Sequence, residues 1–130
     1  MIIFLARPGR TDQHILFFPS ETTDEWIGEA RNIHHTREIE ESVKALLQEL
    51  ALGPITLRLE PALPKGTGVR SVLIREGTAY LDFTAHLAVP DSSFQISFSE
   101  MLEGIKKSVF YNFPSIKKVI VYVDGVSTDI

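Results

Sequence analysis

The chain has 130 residues, with 44% hydrophobic and 23% charged side chains, a usage that excludes a disordered or fibrous polypeptide and fits one domain, residues 1–130, burying its own core. Its 17 acidic residues against 13 lysines and arginines leave a net charge of -4, without the positive field that draws proteins to phosphate backbones, so nucleic acid is not the expected partner. It contains no cysteine, which excludes disulfides, thiolate nucleophiles and thiolate metal sites.

Met1 to Ala6 is the apolar run at the amino end, too short for a signal-peptide core or for the roughly 20 residues of a membrane helix. A membrane is therefore expected to be met only through a segment this chain does not carry. Arg7 to Asp12 reads as a turn, which makes residues 1–13 an amino-terminal extension or an extra strand and His14 to Pro19 the first firm strand. Trp26 to His34, interrupted by Gly28, reads as a twisted edge strand. Thr36 is the expected cap of a first helix, with Glu38, Glu40 and Glu41 at its positive end and Ile39, Val43, Leu46, Leu47 and Leu50 recurring at helical spacing until Gly53-Pro54 stops it.

Ile55 to Gly68 carries Pro61, Pro64, Gly66 and Gly68 and predicts a loop with one short strand. Val69–Arg75 and Thr78–Thr84 flank Glu76-Gly77, a two-residue linker that predicts a tight hairpin. After the loop Val89 to Ser93, Ser97 and Glu100 form a capping box for a second helix with the stripe Met101, Leu102, Ile105, Val109 and Phe113. Pro114 ends it, and Ile116 to Asp124 reads as a last strand closed by Asp124-Gly125. The economical architecture is an α+β two-layer sandwich: one mostly antiparallel sheet of four or five strands with both helices packed on one face.

The ordered succession of Gly53-Pro54, Leu63-Pro64-Lys65-Gly66-Thr67, Val69 to Ile74, Glu76-Gly77, Ala79 to Thr84 (with Asp82, Phe83 and Thr84), the second helix, and Lys117 to Gly125 (ending in Asp124 and Gly125) resembles the GerMN domain of sporulation and germination proteins. The resemblance runs from about His14 to Gly125, and within it the Gly77 turn and Gly53 stop are structural motif positions. It implies an extracytoplasmic, envelope-associated domain with no catalytic residues to carry over, working as a protein-protein interaction or assembly module. The alternative is a small-molecule or glycan-binding domain, with Trp26, Tyr80 and Tyr122 offering stacking surfaces near the Pro90 to Phe94 loop.

The residues themselves offer little catalytic machinery. Asp82 has no acid, base or nucleophile beside it by spacing, so its expected role is to bond a stray loop amide. His34-His35 point to opposite strand faces, and His14 and His86 lie far off, so neither a metal nor a cofactor is expected. Gly66-Thr67-Gly68 leads into a strand rather than a helix and lacks a phosphate-loop ending. The informative excess is apolar: Leu16 and Phe18 early, Tyr80 in the hairpin, and Ile120 and Tyr122 opposite Val119 and Val121, together a candidate exposed interaction surface for a protein partner or a second copy.

Overall fold

In the computed structural model, which describes residues 9–128, the order is β1 (Thr11–Pro19), β2 (Trp26–His34), α1 (Ile39–Leu52), β3 (Val69–Arg75), β4 (Thr78–Phe83), a 3-10 turn at Ala85–Ala88, α2 (Phe98–Asn112), β5 (Lys118–Val123) and β6 (Val126–Ser127). The run Met1 to Ala6 lies outside the described residues. The fold is α+β with two helices, but the strands divide into two sheets instead of one: β1 pairs with β2, and β3, β4, β5 and β6 form a second sheet in that order.

The reason for the division lies at the strand edges. Arg75 and Thr78 face each other beside the two-residue turn, so the N–H of Ile74 points away from β4. There it donates to Glu40 Oε2 of α1 at 2.7 Å. The outer edge of β1 is engaged in the same way by α2: Ile15 N–H donates to Asn112 Oδ1 at 3.0 Å, Phe17 N–H donates to Ser108 Oγ at 3.1 Å, and Asn112 Nδ2 donates to the Ile15 carbonyl at 2.7 Å. Helix side chains thus bond outward-facing groups on the edges of β1 and β3, where a further strand would otherwise pair.

The second sheet is also less antiparallel than expected. β3 and β4 are antiparallel, as are β5 and β6, but β4 and β5 are parallel. The connection from β4 to β5 contains α2, and a helical crossover returns the chain in the same direction whereas a tight turn reverses it. The hairpin turn has φ of 49° at Glu76 and 80° at Gly77, and Asp124-Gly125 repeats the pattern at 51° and 82°, as type I′ turns require. That second turn does more than close the last strand; it reverses the chain into β6.

One core joins the layers, with Val43, Leu46, Leu47 and Leu50 of α1 and Met101, Ile105 and Val109 of α2 buried against Ala79, Leu81, Phe83, Val119 and Val121. Ile39 stays exposed at the start of α1. Thr36 is not the cap: Glu38 holds that position without a side-chain cap, and the Thr36 hydroxyl meets Ser42 Oγ instead. The second helix opens as read, with Glu100 N–H donating to Ser97 Oγ at 3.1 Å and Ser97 N–H to Glu100 Oε1 at 2.9 Å.

Candidate functional site

Leu16 and Phe18 do not belong to an exposed surface. Both are fully buried, because β1 sits between the helices and its inward side chains enter the common core. Tyr80, Ile120 and Tyr122 do share an open face. Along β4 and β5 the buried residues Ala79, Leu81, Phe83, Val119 and Val121 alternate with the half-buried Tyr80, Asp82, Ile120 and Tyr122. The register places Leu73, Tyr80 and Ile120 in one row across three strands and Ser71, Asp82 and Tyr122 in the next. The Tyr80 and Tyr122 rings lie 6.5 Å apart at 41°. Leu73, 43% exposed, was not anticipated as a member of this face; its place follows only once the hairpin register is known.

This face contains a shallow depression of about 450 Å³ lined by Ser71, Leu73, Tyr80, Asp82, Tyr122 and Gly125. Its rim is electrostatically organised. Arg70, beside the irregular pairing of Val69 and Ser71, puts Nη1 3.2 Å from Asp82 Oδ2 and 3.2 Å from Asp124 Oδ1. Asp82 Oδ1 accepts from Gly125 N–H at 2.9 Å, so this carboxylate bonds a loop amide and anchors the turn. Nothing in this set pairs a nucleophile with a base, and among the described residues no three of His, Cys, Asp and Glu are grouped to hold a metal ion.

Trp26 is elsewhere. Its indole packs on α2 at Gly104, where an added Cβ would sit 2.3 Å from the Trp26 ring. It borders a depression of about 400 Å³ with Ser20, Glu21, Thr22, Asp24, Glu60 and Gln95, whereas Tyr80 and Tyr122 line the open sheet face. The three aromatics do not converge on one ligand.

The remaining motif residues hold the scaffold. Leu63 and Phe83 are in the core; the Pro64 carbonyl accepts from Thr67 Oγ1 at 2.7 Å and Thr67 N–H at 3.2 Å. Gly68 N–H donates to Thr84 Oγ1 at 3.0 Å while Thr84 N–H donates to the Gly68 carbonyl at 2.9 Å, closing the start of β3 onto the end of β4. His86 packs beside Gly66 and contacts Thr84.

A cluster that apolar periodicity could not reveal lies under β2. The Glu29 side chain is 7% exposed and pairs with Arg31, whose Nη1 lies 3.1 Å from Glu49 Oε1 and whose Nη2 donates to the Gly53 carbonyl at 3.1 Å. Glu29 also accepts from the N–H groups of Ile55 and Thr56. Burial pushes its pKa up, but the hydrogen bonds from Thr56, Arg31 and Ile55 outweigh that and hold it at about 2. The chain after Gly53-Pro54 is thereby tied to β2 by charge.

The first GerMN domain of the Bacillus subtilis sporulation protein GerM is similar over 90% of this chain and 86% of that one, with 21% identity and a TM-score of 0.67. The tandem GerMN domains of the same protein match 91% of this chain at 17% identity and a TM-score of 0.67, and this chain spans 41% of that longer one. A putative lipoprotein from Clostridium perfringens is similar at 26% identity and a TM-score of 0.56, over 89% of this chain and 76% of that one. Among curated proteins none matches. The family model described as Sporulation and spore germination, Germane, matches residues 15–129, and with the GerMN-type architecture of the described residues, the chain belongs to this sporulation and spore germination family.

Proposed function

We propose that this domain is a non-catalytic interaction module of an envelope-associated protein of the sporulation or germination type, and that it meets its protein partner through the open face of β3, β4 and β5. The observation that carries this reading is the row Leu73, Tyr80 and Ile120 with Tyr122 beside it: apolar and aromatic side chains partly exposed on one face while the other face of the same strands is buried. Exposed apolar surface of this kind marks contact surfaces on soluble domains, and tyrosines supply much of their binding energy. A tandem arrangement of such domains in GerM and the description of the Clostridium relative as a putative lipoprotein support an assembly role near the envelope. A photo-crosslinking residue at Tyr122, in cells of an endospore-forming host, should trap a protein partner that the same residue at the exposed Gln48 does not. Equal trapping at both positions rejects the face as the contact surface.

A binding domain for small polar molecules is the second reading, supported by the hydroxyls and carboxylates around the depression beside Trp26. Trp26 is the only tryptophan, so its fluorescence reports any ligand there directly. A screen of sugars and amino acids that leaves the emission unchanged removes this reading.

A further inference from the structure

The open face carries opposite charge at its two ends. Past the apolar row Leu73, Tyr80 and Ile120, one end of the strands is the row Arg75, Thr78 and Lys118. Arg75 is 3.5 Å from Glu40 and 66% exposed, while Lys118 is exposed with no ion-pair partner among the described residues; this end is net positive by one. At the other end a single cation, Arg70, serves both Asp82 and Asp124, the latter 68% exposed. That end is net negative by one.

We infer that the face takes a second copy of this chain, docked face to face about a two-fold axis that lies in the interface and crosses β4 at right angles. The inference rests on the reading of this face as the contact surface and names its occupant. Such an axis reverses the strand direction but keeps the lateral order of strands. Lys118 of each copy then lies over the Asp82 and Asp124 end of the other, and the two apolar rows meet at the centre. An axis along β4 would set like ends on each other, a repulsive arrangement. Shape agrees with charge, because two sheets of the same right-handed twist nest when their strands are nearly aligned. An isologous contact of this kind closes on itself and stops at two copies.

The size of the face sets the strength. Three strands about 4.8 Å apart and three rows about 7 Å apart cover roughly 300 Å² per copy, about 600 Å² in all and below the roughly 1,000 Å² of a stable specific interface. The dimer is therefore weak: monomer at low concentration, dimer at high concentration, and sensitive to salt through its exposed charges.

Sedimentation equilibrium of the purified chain from about 10 to about 500 μM should show this reversible dimer, weakened at least about threefold between about 0.05 and about 0.5 M sodium chloride. Lys118→Glu and Asp124→Lys should each weaken it about tenfold or more, with thermal melts confirming that both variants fold. Their equimolar mixture should associate again, because in the mixed pair both end contacts join opposite charges. A wild-type chain that stays monomeric throughout, or a mixture no tighter than either variant alone, overturns the two-fold contact. If that happens while Tyr122 still traps a partner selectively, the face serves a different protein. If Tyr122 traps nothing selectively either, the contact-surface reading fails as well.

Discussion

Two strands of this protein carry apolar residues at alternate positions and meet different fates. In β1, Leu16 and Phe18 are fully buried, whereas in β5 Ile120 and Tyr122 remain half-buried on a face that no described element covers. The difference is not in the strands. The α2 helix runs beside β1 and bonds its outer edge through Ser108 and Asn112, and it packs on only one side of the second sheet. Alternation states which residues share a face; what lies over that face is decided by the register and the helix positions.

The largest way to sharpen the contrast is to empty the covered side. Phe18→Ala should cost about 3 to 5 kcal/mol, and Leu46→Ala and Ile105→Ala each about 2 to 5 kcal/mol, since all three are fully buried. Urea midpoints measure this directly. An unchanged midpoint for Phe18→Ala would mean that β1 is not held in the core.

The next effect comes from the charged cluster under β2. A carboxyl lowered from 4.5 to about 2 stabilises the folded state at neutral pH by about 3 kcal/mol. Because the folded-state pKa is the lower one, this stabilisation is present above about pH 4.5 and is lost as pH falls through that value towards about 2. Glu29→Gln should therefore be destabilised by about 2 to 4 kcal/mol at pH 7 and show a flatter pH dependence of stability below about 4.5. Parallel curves for the variant and the parent chain would remove Glu29 as the source.

Smaller again is the contact between Trp26 and Gly104. Alanine for glycine inside a helix is ordinarily stabilising by roughly 1 kcal/mol. Here the new Cβ would lie 2.3 Å from the indole, so Gly104→Ala should instead cost about 1 to 3 kcal/mol. A rise in melting temperature would show that the ring moves aside freely.

These sites also mark what the sequence made legible. The Glu76-Gly77 turn, the capping box of α2 and the Gly53 stop were readable because each depends on a few neighbouring residues with a fixed local task, whereas Asp124-Gly125 reads only as the end of a strand and its reversal into the two-residue β6 is not legible. The parallel pairing of β4 and β5 is implicit in the strand-helix-strand order, although the expected sheet was mostly antiparallel. The Glu29 and Arg31 pair is not legible because charged residues occupy the inward positions of β2, where burial ordinarily selects apolar ones. Gly104 escaped because its partner is 78 positions away, a contact that no local pattern encodes. Of the candidate surface, Tyr80, Ile120 and Tyr122 share a face by strand alternation, while Leu16 and Phe18 needed knowledge of which element lay above them.

The smallest stability effect belongs to the open face, and its smallness is the point. Ile120 and Tyr122 contact their neighbours in the sheet but have no helix above them, so Ile120→Thr with Tyr122→Thr removes apolar area while keeping β-branched residues suited to the strand. The double variant should lose less than about 1.5 kcal/mol of folding stability, yet weaken the association of the chain with its partner or with itself by tenfold or more. Core truncation moves the two quantities together because unfolding removes every surface at once; a contact surface allows them to separate. Paired measurements of the urea midpoint and the dissociation constant decide the matter. Should the double variant lose stability on the scale of Phe18→Ala with no independent loss of association, Ile120 and Tyr122 belong to the covered class after all, and the partner must dock on a strand edge or a helix.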